Sequence, residues 1–113
     1  MRTKIINLTP HDIKIVREGK VVATIPASGN VARLTTSITI HSGFKFDGIN
    51  IPLTKTNFSE VENLPEERDD TLLIVSQLIK NCPDLQDRND LVVPAEMVRD
   101  ENNNIIGCRS FGL

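Results

Sequence analysis

Two β-branched runs separated by a glycine turn constrain this chain more than any other feature. Ile13-Lys14-Ile15-Val16-Arg17 and Val21-Val22-Ala23-Thr24-Ile25 flank Glu18-Gly19. Branching at Cβ suits both runs to a pleated strand, and Gly19 accepts the positive φ of a two-residue hairpin turn. The neighbouring segments repeat the pattern. Lys4 to Asn7 reads as a short strand, Pro26-Ala27-Ser28-Gly29 as a turn, and Val31-Ala32-Arg33-Leu34 as the start of another strand. Thr35 to His41 alternates as a half-buried strand would, Gly43 to Gly48 reads as a loop or hairpin tip, and Ile49 to Thr56 as a further extended segment. One more short strand is expected within Phe58 to Pro65.

Thr71-Leu72-Leu73-Ile74-Val75 is apolar almost throughout, as a central strand covered on both faces would be. Ser76 is then placed to cap a short helix through Cys82, with Pro83 ending it; a single helix over Thr71 to Asn81 is the alternative. Leu91-Val92-Val93 and a hairpin from Val98 to Arg109, turning at Glu101 to Asn104, complete the chain. The expected fold is therefore a β-rich α+β single domain spanning residues 1–113. It has seven to nine short, mostly antiparallel strands in a barrel-like or Greek-key arrangement, with one short helix.

Composition narrows the function classes. The formal charge is −2, and the 13 Lys and Arg are scattered with no basic tract, which argues against duplex nucleic acid as a partner. Trp and Tyr are absent, leaving little to stack single-stranded bases on. No apolar run approaches the ~18 residues of a membrane span, and no long apolar run follows Arg2 and Lys4, so a cytoplasmic location is expected. Cys82 and Cys108 are too few and too widely spaced for a disulfide framework and read as buried free thiols. The histidines and cysteines have no metal-ligand spacing, so neither metal nor cofactor is expected.

The candidate site residues lie in two groups. In Asn7-Leu8-Thr9-Pro10-His11, Pro10 fixes φ and pushes Thr9 towards an extended conformation, so the polar groups of Asn7, Thr9 and His11 sit on a constrained bend. Arg33 lies among apolar neighbours, and Arg99 and Arg109 fall roughly opposite one another on the arms of the last hairpin. Like charges facing across a sheet repel unless an anion sits between them, and guanidinium groups hold phosphate bidentately. The plainer reading pairs Arg99 with Asp100 or Glu101, and Arg88 with Asp90, as surface salt bridges. Glu66, Glu67, Asp69 and Asp70 form a solvated run and no acid–base pair stands out, so catalysis is not the leading expectation.

Several blocks resemble a known family. Asn7-Leu8-Thr9-Pro10-His11, Ile25-Pro26-Ala27-Ser28-Gly29, Val31-Ala32-Arg33 and Val61-Glu62-Asn63-Leu64-Pro65 carry the likeness, followed by Ile74-Val75-Ser76, Arg88 to Pro94, Val98-Arg99-Asp100 and Ile105 to Arg109. In that order they are similar to a family of small uncharacterised phage, prophage and bacterial proteins with an N-terminal Asn-Leu-Thr-Pro-His motif. Ser37 to Asn50 falls outside the likeness, as an insertion or a ligand-specific loop. The resemblance implies a phage-borne protein of the host cytoplasm. Such a protein could act against host defence by sequestering a phosphate-containing nucleotide signal without cleaving it. On that reading Arg33, Arg99 and Arg109 hold phosphates, Asn7, Thr9 and His11 hold ribose or base, and a homodimer or higher homo-oligomer closes over the ligand. An inhibitor of a host protein, or a small hydrolase or lyase using His11 as base, are the alternatives.

Overall fold

The computed structural model describes residues 3–113. Eight strands, in chain order, are β1 (Lys4–Asn7), β2 (Ile13–Arg17), β3 (Lys20–Ile25), β4 (Thr36–Phe46), β5 (Ile49–Phe58), β6 (Thr71–Ile74), β7 (Leu91–Arg99) and β8 (Ile105–Gly112). A single short helix, α1 (Gln77–Lys80), follows β6. The architecture is the β-rich α+β, barrel-like one expected. Six strands form a sheet in the order β1-β6-β7-β8-β2-β3, and β4 with β5 forms a separate two-stranded ribbon. Parallel pairing joins β6 to both β1 and β7, and β2 to β8, while the longer ladders are antiparallel.

The β2–β3 turn forms for the reason the sequence suggested. Glu18 (φ 52°) and Gly19 (φ 76°) both take left-handed conformations, the pair whose twist matches the flanking strands. β6 is the central strand expected from its composition. Leu73 and Val75 join Leu91, Val93, Ile79, Leu8 and Ala32 in one core, while Ile74 and Val92, which alternation directs to the other face, are equally buried. Ser76 caps α1 by accepting from Ile79 N–H at 3.4 Å. The helix ends at Lys80, before Cys82, and Pro83 opens a 3-10 turn over Pro83–Leu85 where it was expected to act as a stop.

Two expected strands are not strands. Val31 to Leu34 and Glu60 to Pro65 run as irregular chain, joined by one bridge between Arg33 and Glu62. Their backbone groups pair with each other and with Leu8 (Ala32 N–H to Leu8 O, 3.0 Å), so neither segment builds a ladder. Of the loop or hairpin tip expected over Gly43 to Gly48, the hairpin tip is present but shorter, and residues 43–46 are strand. β4 and β5 stay paired from Thr36–Phe58 out to Phe46–Ile49, and only Asp47 and Gly48, both at positive φ, make the tip. Every residue of this arm is exposed. The arm accounts for a radius of gyration of 18.0 Å, where a compact chain of this length has about 13 Å.

Candidate functional site

Asn7 is the most heavily engaged polar side chain in the described structure, and it is a clasp. It ends β1 at 1% exposure. Its Nδ2 donates to His11 O at 2.7 Å and to Ile25 O, at the end of β3, at 3.2 Å. Its Oδ1 accepts from Thr9 N–H at 3.0 Å and from Thr9 Oγ1 at 2.6 Å. An amide side chain has two N–H donors and two acceptor lone pairs, and all four are used. Its main chain serves the same closure, because Asn7 O accepts from Ser28 N–H at 3.0 Å. β1 and β3 are the two edges of the six-stranded sheet, so Asn7 stitches the open sides of the barrel together. Asp12 reinforces the seam by accepting from Ala27 N–H at 2.9 Å.

This corrects the expected roles of Asn7 and Thr9. Asn7 has no hydrogen-bonding capacity left for a ribose or base. Thr9 spends its N–H and hydroxyl on Asn7, with His11 O a further 3.0 Å from the hydroxyl. An acceptor side chain bonding the N–H two residues on is an Asx-turn, a signal present in Asn7-Leu8-Thr9 and outweighed in the sequence by the attention drawn to Pro10.

The three arginines occupy separate surfaces. Arg33 borders an open hollow of about 450 Å³ shared with Thr35, Ser59, Ser76 and the carboxylate residues Glu60 and Glu62. Two carboxylates beside one guanidinium make that hollow unfavourable for phosphate. Arg99 stands across from Ile105 and not from Arg109, and its Nη1 donates to Asn103 O at 2.9 Å. Arg109 lies farther along β8 between Cys108, paired with Met97, and Ser110, paired with Ala95. Alternation turns Arg109 to the face opposite that of Cys108 and Met97, so Arg99 and Arg109 do not face each other. Nor does Asp100 pair with Arg99: its Oδ1 accepts from Asn102 and Asn104 N–H, both at 2.9 Å, and builds the turn.

Arg88 and Asp90 are no surface pair either. Arg88 Nε and Nη2 grip the two Asp90 oxygens at 2.8 and 2.7 Å, and Nη2 also donates to Pro65 O at 2.9 Å. The Asp90 side chain is 1% exposed. The hydrogen bonds to Asp90 hold the Arg88 guanidinium above its already high ordinary pKa. The pair ties the irregular chain at Pro65 to the start of β7.

One sequence-predicted residue does reach a sizeable concavity. His11, with Asp12 and Lys14, forms one bank of a groove of about 720 Å³. Its apolar lining includes Ile13, Val21, Pro94, Met97 and Ile105, with Cys108 among the lining residues. Burial pushes the Cys108 thiol above its ordinary pKa, so the neutral thiol belongs to the apolar lining. Arg99 is the cross-strand partner of the lining residue Ile105 but is not itself part of the lining. The groove gathers His11 and Lys14 around apolar side chains and leaves Asn7, Thr9, Arg33, Arg99 and Arg109 outside its lining. Lys14, Val21, Met97 and Ile105 were missed in the sequence because alternation within β2, β3, β7 and β8 gives no hint of which strands become neighbours. Comparison with protein-family models, with curated proteins and with solved structures finds no match to this chain.

Proposed function

We propose that this chain binds a small phosphate-containing, nucleotide-derived ligand and holds it without turnover, in the groove between β2, β3, β7 and β8. The observation that carries the reading is the groove itself. Its volume of about 720 Å³ falls within the ~300–1,000 Å³ of small-molecule sites, and apolar walls with a few convergent polar groups are their usual construction. Val21, Met97 and Ile105 suit the faces of a base or ribose. Lys14 supplies a point charge for phosphate.

Binding fits this site better than catalysis. His11 is exposed, and the carboxylate next to it in sequence, Asp12, is committed to Ala27 N–H. Among the described residues no carboxylate is hydrogen-bonded to the imidazole to orient it as a general base requires. The phage-type sequestering role suggested by the family resemblance then belongs to this groove, whose lining takes in His11 but not Asn7, Thr9, Arg33, Arg99 or Arg109. Calorimetric titration with cyclic dinucleotides and cyclic ADP-ribose variants tests the site. Lys14→Glu and Met97→Glu should each weaken binding at least tenfold, while Arg33→Ala leaves it unchanged. Binding that is insensitive to Lys14 and Met97, or lost with Arg33, would move the site elsewhere.

A further inference from the structure

The β4–β5 arm is apolar on a different face in each half. The ladder places Ser42–Leu53, Phe44–Ile51 and Phe46–Ile49 in rows on one face of the outer half, with Lys45–Asn50 and Gly43–Pro52 behind them. An irregularity at His41 then intervenes between Ile40–Thr54 and Ser42–Leu53. Nearer the body, Ile38, Ile40 and Phe58 consequently lie on the opposite face, while Lys55 and Asn57 continue the outer apolar face as a polar one. The outer half is thus a two-stranded ribbon with one uncharged face of Phe44, Phe46, Ile49, Ile51 and Leu53, each 42–64% exposed, whose one polar member is Ser42 at its inner end. A ribbon of only two strands is marginal in water unless something packs on it. Among the described residues nothing does so: the arm lies outside the core cluster, and its base is tied at Thr35 and Ser59 by bonds of 2.7 and 2.8 Å.

We infer that this face is a self-association surface, on which the outer halves of the arms of two copies pack face to face about a two-fold axis. Three observations favour a second copy as the occupant. The face carries no charge, so a two-fold contact sets no like charges against each other; Lys45 and Asp47 lie behind it or at the tip. From their fractional exposures and the ~150–250 Å² of an aromatic side chain, the five side chains offer roughly 500 Å² per copy. Two such faces remove about 1,000 Å², the lower bound for a biological interface and just below the ~1,200 Å² at which stable ones begin. A lipid surface is the other apolar partner an exposed Phe and Ile tip could meet, but the chain has neither Trp nor Tyr to seat it among headgroups. The packed pair is a small four-stranded sandwich with ribbons ~10 Å apart. The segment outside the family likeness, Ser37 to Asn50, then belongs to an assembly arm. The inference stands whether or not the groove binds a nucleotide.

The test is the mass in solution, read by sedimentation for three proteins. The natural chain should sediment as a dimer or larger multiple of its 12.6 kDa. The double variant Phe44→Ser, Ile51→Lys should sediment as a monomer. So should a chain in which an Asn-Gly turn joins Thr35 directly to Ser59; unchanged far-UV circular dichroism from its remaining strands will show that the body still folds. A single new thiol maps the contact, since Cys82 and Cys108 are buried. Ile51→Cys should be linked to its counterpart by a short bis-maleimide, and Lys45→Cys on the opposite face should not. A monomeric natural chain, an armless chain that still dimerises, or equal linking from both faces would each overturn the inference. Dependence of arm protection on added anionic vesicles, with no dimer in their absence, would overturn it in favour of a membrane.

Discussion

Replacing Asn7 with Ala should cost this fold about 3 kcal/mol. The side chain makes four hydrogen bonds at 2.6–3.2 Å from a position of 1% exposure. A net value near 1 kcal/mol for each would give about 4 kcal/mol. Some of that is recovered, because His11 is exposed and water can reach its carbonyl side of the bend. The loss is large against a total stability of roughly 5–15 kcal/mol. With a urea m-value of about 1.5 kcal/mol/M the unfolding midpoint should fall by ~2 M. The readout is far-UV circular dichroism, since the chain has no Trp or Tyr to report by fluorescence. Asn7→Asp sharpens the test. It keeps an acceptor for Thr9 but sets a carboxylate oxygen against His11 O and Ile25 O, so it should be at least as damaging at neutral pH and partly relieved when protonated. A midpoint shift below about 0.5 M for Asn7→Ala would refute the clasp and return Asn7 to the pool of ligand-binding candidates.

Other consequences follow from single geometries. Arg88→Ala strands the buried Asp90 carboxylate and should cost about 3–5 kcal/mol, with Arg88→Lys recovering only part because an ammonium cannot match the two-oxygen grip; urea midpoints check both. At Gly107 an added Cβ would lie 2.6 Å from Lys14 O and 2.7 Å from Val16 Cγ2. Gly107→Ala should therefore open the β2–β8 seam, costing about 2 kcal/mol and lowering the melting temperature by roughly 10 °C. Because burial raises the Cys108 pKa in the folded state, its contribution to stability is intact below the unfolded thiol's value and is lost as pH rises from there through the folded value. Stability should thus decline on the alkaline side above about pH 8.5, and Cys108→Ala should flatten that limb of a melting-temperature profile.

How much of this was legible depended on whether a signal was local. The β2–β3 hairpin, the buried strand β6 and the Ser76 cap were all written in adjacent residues, and the structure has them. Asp47-Gly48 was an equally local signal, the favoured dipeptide of a two-residue hairpin, yet with glycine at position 43 as well the loop or hairpin tip was read too wide, over Gly43 to Gly48. Gly43 is in strand because the Asn50 side chain crosses over it, with Oδ1 only 2.7 Å from where a Cβ would sit. Val31 to Leu34 had strand composition but no neighbouring strand to pair with beyond Glu62. The site was less legible for a geometric reason. Arg99 and Arg109 were expected to lie roughly opposite one another, but even symmetric pairing about Glu101 to Asn104 sets Arg99 across from Ile106, three residues short of Arg109. The irregularity between Val98 and Arg99 moves Arg99 one residue further, to Ile105. The groove depends on β2 lying beside β8, a pairing between distant segments that no short motif announces.

The most direct test of binding without turnover is to recover the ligand. Purified protein is incubated with cyclic dinucleotides and cyclic ADP-ribose variants, freed of unbound material, heat-denatured, and the released small molecules are weighed by mass spectrometry. The account predicts one intact compound, released in stoichiometric amount, lost from the Lys14→Glu protein, and raising the melting temperature of the natural chain in proportion to its concentration above Kd. A chemically altered product that disappears in His11→Ala, or no compound retained and no thermal shift, would contradict it.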